Sequence, residues 1–151
     1  MRALVQRVSR ASVTVESQLI GEIRAGLLIF LGIKQSDTRA HAEILCRKVT
    51  QLRIFTDKLG KMNLSLLDVA GELLIVSQFT LYGDTRKGNR PSYSEAARPE
   101  LARELYEYFV QLCRSKGVVV ATGAFQAHMQ VSLVNDGPVT LLCEAESLDK
   151  V

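Results

Sequence analysis

Gly26-Leu-Leu-Ile-Phe-Leu-Gly32 is a short, continuous apolar run with a glycine at each end. A run of this length between glycines is typical of a β-strand that is buried on both faces. A second run, Glu-Leu-Leu-Ile-Val-Ser-Gln-Phe-Thr-Leu at 72–81, lies between Gly71 and Gly83 and predicts another long strand. Both segments are therefore expected to belong to a β-sheet.

The chain on either side of these runs predicts further strands. Val13 and Val15 alternate with polar neighbours, which is the period-2 pattern of a strand with one buried face. Near the end of the chain, extended segments are predicted at 118–122, 128–134 and 138–144. Asn135-Asp136-Gly137, between the last two, has the composition of a hairpin turn, although Pro138 removes a backbone donor at the start of the next strand.

Two helices are predicted between the strands. The first follows Ser36 and Asp37, which are good N-cap residues. The second begins near Pro99, a residue suited to the first helical turn, and ends at Lys116 and Gly117. Strands outnumber helices and do not alternate regularly with them. This order predicts an α+β fold, with helices packed on a curled mixed or antiparallel sheet, in a single domain spanning 1–151.

The composition is that of an ordinary globular protein, with 47% hydrophobic and 23% charged residues. The net charge of +3 is compatible with an RNA partner but does not require one. Arginines at 2, 7 and 10 interrupt the apolar residues at the start of the chain, so no signal peptide is predicted. No apolar run approaches the roughly 20 residues that span a bilayer, and a cytoplasmic location is expected.

Several kinds of catalytic site are not indicated by the sequence. It contains no phosphate-binding glycine loop and no nucleophile elbow, and no Cys or His pair has metal-ligand spacing, so no metal or cofactor is expected. Cys46, Cys113 and Cys143 are odd in number and far apart, and they predict buried thiols rather than disulfides. The two histidines, His41 in a helix and His128 in a strand, have no partner motif and are interpreted as ordinary polar residues.

Three segments are not explained by packing alone. Ser77-Gln78-Phe79-Thr80-Leu81 brings polar side chains to the end of a buried strand, where binding sites often occur. The loop at 83–91 carries Arg86, Lys87 and Arg90, which could pair with phosphate, among glycines that allow a close approach of the backbone. In the third segment, Gly137 precedes Pro138, and such a bond has a baseline chance of about 5–6% of being cis in folded proteins.

These segments together resemble the D-aminoacyl-tRNA deacylase family. The resemblance covers the whole chain and rests on two signatures, Ser77-Gln-Phe-Thr-Leu81 and Asn135-Asp-Gly-Pro-Val-Thr140. It is extended by the residues Met1-Arg-Ala-Leu-Val-Gln-Arg-Val8, Gly26-Leu-Leu28, Leu31-Gly-Ile33, Lys61-Met-Asn63, Arg90-Pro-Ser92 and Met129. The chain departs from many relatives at Gln126, where a small residue is common, and at His128, where an acidic one is frequent. Tyr82-Gly83 also replaces an alanine pair found in some members.

The resemblance implies a barrel-like sheet with two or three helices, a homodimer, and hydrolysis of D-aminoacyl-tRNA and of mischarged glycyl-tRNA. Gly137 and Pro138 would form a cis pair that enters the partner subunit's pocket and rejects L-aminoacyl groups. The residues expected to hold the aminoacyl group and the terminal adenosine are Ser77, Gln78, Phe79 and Thr80, with Arg7, Met129 and Asn135 assisting. The tRNA 2′-hydroxyl would assist hydrolysis.

The role of Thr80 remains open at this point. It is a nucleophile on paper, but no sequence feature offers it a base, and an activated ester can be cleaved largely by orientation and hydrogen-bond donors. Two alternatives to the deacylase also remain: a non-catalytic tRNA-binding module and a hydrolase of free D-amino-acid esters. The sequence does not indicate which D-amino acids are preferred.

Overall fold

The computed structural model describes residues 1–148 and contains one six-stranded sheet, one small hairpin and three α-helices within that range. The large sheet consists of β1 (Arg2–Val15), β2 (Gln18–Ile23), β3 (Gly26–Gly32), β6 (Glu72–Ser77), β7 (Val120–Thr122) and β8 (Gln130–Glu144). The hairpin is formed by β4 (Phe55–Thr56) and β5 (Met62–Leu64), and the helices are α1 (Arg39–Gln51), α2 (Pro99–Ser115) and α3 (Ala145–Leu148). A 3-10 helix follows β6 at Phe79–Tyr82.

The long strand β1 organises the sheet, which is mixed and curled. Its first half pairs with β3 and its second half with β2, while β8 runs antiparallel along its other side. The central strands β3 and β6 are parallel, and so are β6 and β7. A strand that changes partners part-way along its length bends the sheet into a partly closed barrel. The expected α+β, barrel-like architecture with helices packed against a mixed sheet is therefore confirmed.

Strand β3 is buried on both faces, as its apolar run predicts. Leu27, Ile29 and Leu31 point into a core shared with α1 and α2, whereas Leu28 points into a second core inside the curl of the sheet. All four side chains are fully buried. Each stabilises the fold by about 1.5–3 kcal/mol relative to exposure, so the sheet is held from both sides.

The start of α1 differs from the sequence prediction. The N-cap is Thr38, and neither Ser36 nor Asp37 caps the helix. The N–H of Thr38 donates to Nδ1 of His41 over 3.0 Å, so His41 stabilises the first turn. Asp37 is instead buried and accepts hydrogen bonds from the Met1 ammonium at 2.7 Å and from the Lys34 N–H at 2.8 Å. The buried Asp37 carboxylate is satisfied by these donors, and the next residue, Thr38, takes the N-cap position.

The two segments that carry the signatures also differ from prediction. β6 ends at Ser77, and Phe79–Tyr82 forms a 3-10 helix rather than the end of the predicted strand. The predicted hairpin at 135–137 is wrong, because β8 continues from Gln130 to Glu144 beside β1. The 14-residue partner β1 supports one long strand, in which 135–140 bulges opposite Gln6 and Val8. His128 lies before this strand and not in it.

Candidate functional site

The end of β6 opens into a cavity of about 730 Å³, called here the strand-end cavity. One wall comes from the end of β6 with Ser77, Gln78 and Phe79. A second wall comes from the loop before β8 and includes Met129, and a third from the segment that leads into α2. The residues lining the cavity are Val76, Ser77, Gln78, Phe79, Tyr93, Ala96, Ala97, Arg98, Pro99, Ala102, Phe125, Gln126, Ala127, His128, Met129 and Val131.

The cavity brings together four of the predicted site residues, namely Ser77, Gln78, Phe79 and Met129. It is also lined by Gln126 and His128, the two positions at which the chain departs from many relatives. It also contains residues that sequence reasoning did not select, among them Tyr93, Arg98 and Phe125. Phe125 directly precedes Gln126, a position at which the chain departs from many relatives, and Arg98 directly precedes the helix-initiating proline. Neither had a pattern of its own that indicated a site, because both come from loops whose position depends on the tertiary fold.

Thr80 stands beside the cavity and not among the residues that line it. Thr80 is exposed. Within residues 1–148, the one hydrogen-bond partner of its hydroxyl is the Gln78 side-chain amide, which donates to it. No histidine or carboxylate in that range hydrogen-bonds to the hydroxyl. The geometry therefore offers Thr80 no general base, and it favours a positioning role over a nucleophilic one.

Aromatic side chains stiffen two walls of the cavity. The ring of Phe79 packs edge-on against Tyr93, with 5.1 Å between the centroids. On the other wall, Phe125 lies 6.0 Å from the buried ring of Tyr106. The Tyr106 hydroxyl donates to the Ile75 carbonyl over 2.7 Å, and this hydrogen bond links α2 to strand β6 two residues before its end. Burial raises the pKa of Tyr106 to about 12, because the charged phenolate loses its hydration.

Arg2 secures the other end of the 3-10 helix. Its Nη1 donates to the Leu81 carbonyl over 3.0 Å, and its guanidinium lies 4.5 Å from the centroid of the Tyr82 ring. The backbone that carries Phe79 and Thr80 is thus held at its end by a cation on β1. The polar groups after β6 are consequently presented on a supported segment rather than on a free loop.

The basic loop is closed at its base, where Asp84 and Ser92 exchange two backbone hydrogen bonds of 2.7 and 3.0 Å. Arg86 forms a two-point ion pair with Asp84, with distances of 2.9 and 2.7 Å, and this contact lowers the pKa of Asp84 to about 2. Lys87 and Arg90 are exposed. The charge of Arg86 is largely matched within the loop, so Lys87 and Arg90 are the more available cations for a phosphate.

A second cluster consists of Arg7 on β1 and residues 135–140 of β8, which are called here the 135–140 segment. It contains the other residues that were expected to bind the substrate or select its chirality. Arg7 donates from Nε to the Asp136 carbonyl over 2.9 Å and from Nη1 to the Ile54 carbonyl over 2.7 Å. The Asn135 side chain accepts from the Val139 N–H at 2.9 Å and donates to the Thr140 hydroxyl at 2.8 Å. Both side chains hold this bulge of β8 in one conformation.

Gly137 has a φ of 138° and is joined to Pro138 by a cis peptide bond. A Cβ added at Gly137 would lie 2.9 Å from Nη2 of Arg7 and 2.9 Å from Cγ2 of Val139. The backbone conformation and the close neighbours both require glycine at this position. Gly137 and Pro138 are exposed, so their backbone is accessible to another molecule.

The two clusters do not meet within one chain. Neither Arg7 nor any residue of the 135–140 segment is among the described residues that line the strand-end cavity. Along β8, Gln130 pairs with Thr14 and Asn135 pairs with Val8. At about 3.3 Å per residue, the six positions along β1 separate these points by roughly 20 Å.

Comparison with known proteins places these features in a family. The family model described as D-Tyr-tRNA(Tyr) deacylase matches residues 4–144. The chain belongs to this family. A protein of Koribacter versatilis named D-aminoacyl-tRNA deacylase is 60% identical over 146 residues, covering 97% of this chain and 98% of its own. One of Thermosipho africanus with the same name is 58% identical, covering 98% and 99%. This membership confirms the expectation of an enzyme of the deacylase class, a hydrolase.

Solved structures give the same fold. A structure described as c-Myc DNA Unwinding Element Binding Protein is 42% identical, with a TM-score of 0.90 and coverage of 95% of this chain and 98% of its own. A probable eukaryotic D-amino acid tRNA deacylase is 16% identical, with a TM-score of 0.85 and the same coverage, and it supports the fold alone.

Proposed function

We propose that this chain hydrolyses the ester bond of D-aminoacyl-tRNA and releases free tRNA and the D-amino acid. The observation that carries the proposal is the strand-end cavity, in which Ser77, Gln78 and Phe79 of one family signature face Met129. Its apolar walls and few polar groups suit an aminoacyl group and a nucleoside base. We also propose that residues 1–151 form a single deacylase domain.

The reaction needs a water molecule to attack the ester carbonyl and the tRNA hydroxyl to leave. Phe79 and Thr80 begin the 3-10 helix, so their N–H groups have no carbonyl partner inside that helix and can serve a developing oxyanion. Ser77 and Gln78 would orient the ester. Because no base among residues 1–148 hydrogen-bonds to Thr80, the adjacent 2′-hydroxyl of the terminal ribose is the group proposed to assist proton transfer, and Thr80 positions the substrate.

Chiral selection is assigned to the 135–140 segment of a second subunit. The exposed Gly137 and Pro138 would enter the partner's cavity, where their carbonyls leave no room for an L-side chain. The separation of the two clusters in one chain supports a homodimer, because a second copy would bring its 135–140 segment to the first copy's cavity. A pocket gated only by rejection of an L-side chain would also admit glycyl-tRNA.

Strand β8 supplies a surface for such a dimer. In the described sheet it pairs with β1 on one side only, so its outer edge carries unpaired backbone groups. Val134, Leu141 and Leu142 on this strand are 41%, 39% and 52% exposed and provide apolar surface along it. Sedimentation at micromolar concentration tests the dimer directly, and a monomer at all concentrations would contradict it.

The function is tested by paired deacylation of D-tyrosyl-tRNA and L-tyrosyl-tRNA at matched enzyme concentration. We expect a D-over-L preference of about 10³ or more in kcat/KM, which corresponds to about 4 kcal/mol of discrimination. Loss of both esters at equal rates, or of neither, would contradict the proposal. A D-tyrosyl ester without the tRNA body, run in parallel, separates this activity from a hydrolase of free D-amino-acid esters.

A nucleic-acid-binding module without catalysis is the second candidate. It is favoured by the name of the 42% identical structure and by the exposed Lys87 and Arg90. It predicts binding of tRNA whose affinity falls with salt, and no release of amino acid. For either function, we propose that the protein acts in the cytoplasm. Among the described helices, none is both long and apolar enough to cross a membrane.

A further inference from the structure

Arg98 is the one permanently charged side chain among the described residues that line the strand-end cavity. No aspartate or glutamate in that range lines it, and the other titratable side chains there are Tyr93 and His128. Within residues 1–148 no carboxylate lies within 4.0 Å of the Arg98 guanidinium, unlike that of Arg86, which Asp84 neutralises. A cation without a counter-charge at the wall of a neutral cavity is a feature that packing does not explain.

Within residues 1–148, the Arg98 side chain takes no part in a hydrogen bond or an ion pair. Arg98 precedes Pro99 at the start of α2, and its side chain makes no capping hydrogen bond there. The residue is exposed and lines the cavity, so its side chain is accessible to a ligand that extends from the cavity into solvent. Guanidinium groups bind phosphate through two parallel hydrogen bonds and remain charged at every physiological pH.

We propose that Arg98 binds the phosphodiester that joins the terminal nucleotide of the tRNA to the preceding one. The inference rests on the proposed function, in which the cavity takes the aminoacyl group and the terminal nucleoside, both without negative charge. The remaining acceptor strand must leave through the mouth, and its first anion is this phosphodiester. Lys87 and Arg90, which do not line the cavity, would meet phosphates further along the strand. Arg98 is then a substrate-positioning residue that makes turnover depend on a polynucleotide.

The test uses three D-tyrosyl esters that differ in phosphate content: of tRNA, of the dinucleotide cytidylyl-adenosine, and of adenosine. Arg98→Ala is compared with the wild type and with Lys116→Ala, which removes an exposed cation at the other end of α2, about 27 Å away. We expect Arg98→Ala to lower kcat/KM about ten-fold on the tRNA and dinucleotide esters and by less than about two-fold on the adenosine ester. Arg98→Lys should lower kcat/KM on the tRNA and dinucleotide esters by about three-fold, because lysine keeps the charge but cannot make the two-point contact.

Equal losses on all three esters would overturn the proposal, since Arg98 would then support the fold or the adenosine. So would equal activity of Arg98→Ala and wild type on the tRNA ester. If the wild type cleaves no D-ester, the proposed function fails, and binding of uncharged tRNA still decides the role of Arg98. In that case the slope of log Kd against the logarithm of salt concentration is measured for both proteins. A slope that is shallower by about one unit in Arg98→Ala supports the contact, and an unchanged slope refutes it.

Discussion

Arg7 provides the most direct test of how the 135–140 segment works. Its guanidinium bridges the Asp136 and Ile54 carbonyls through hydrogen bonds of 2.9 and 2.7 Å, and the side chain is 12% exposed. Hydrogen bonds from a charged donor contribute about 1.5–3 kcal/mol each. In Arg7→Lys a single ammonium can reach one of the two carbonyls, so about 2 kcal/mol of restraint on the segment should be lost.

That loss corresponds to about a 30-fold change in how strongly the segment is held in its selective conformation. If Gly137 and Pro138 reject L-substrates, the D-over-L ratio of kcat/KM should therefore fall by up to about 30-fold in Arg7→Lys. The ratio falls because L-tyrosyl-tRNA becomes a better substrate while D-tyrosyl-tRNA changes little. The assay is the paired deacylation of the two esters over a range of enzyme concentrations.

Arg10→Lys is the matched control, because Arg10 is exposed on the same strand and far less constrained. It should leave the ratio and the stability near wild-type values. An unchanged ratio in Arg7→Lys, with a loss of folding stability of about 2 kcal/mol in urea, would refute the reasoning, since the clamp would then be structural only. An equal drop for both esters would refute it as well.

Three further outcomes are expected. Tyr106→Phe should remove an alkaline loss of stability, because burial raises the pKa of this phenol to about 12 from about 10. The neutral phenol stabilises the fold fully below pH 10, and that contribution is lost as pH rises towards 12. Urea unfolding should therefore show the wild type losing about 1 kcal/mol more than the variant between about pH 9 and pH 11. Gly26→Ala should prevent or severely impair folding, because the new Cβ would lie 1.9 Å from the Glu72 carbonyl oxygen, and far-ultraviolet circular dichroism of the soluble fraction reads this out. Thr80→Ala should reduce kcat on D-tyrosyl-tRNA by at most about 10²-fold, whereas a loss of about 10⁶-fold in single-turnover kinetics would identify a nucleophile.

Local sequence patterns predicted the parts of the fold that depend on neighbours along the chain. The apolar run at 26–32 and the run that begins at Glu72 both form buried strands, and α2 begins at Pro99 as expected. The cavity was predictable in part, because Ser77, Gln78 and Phe79 follow directly from the end of such a strand. Tyr93, Arg98 and Phe125 were not predictable in this way, since each reaches the cavity from a different loop.

The sequence by itself determined the buried strands β3 and β6, the start of α2 and the two signature segments, because strand burial, helix initiation and polar strand ends are encoded within a few residues. Only the tertiary structure decided that β8 is one strand, since its continuity depends on pairing with β1, more than a hundred residues earlier. It also decided that Arg7 holds Asp136, 129 residues away, and Ile54, 47 residues away. It placed the two signatures at separate points of one chain. Contacts of this range depend on how the strands are ordered in the sheet, and no local pattern carries that information.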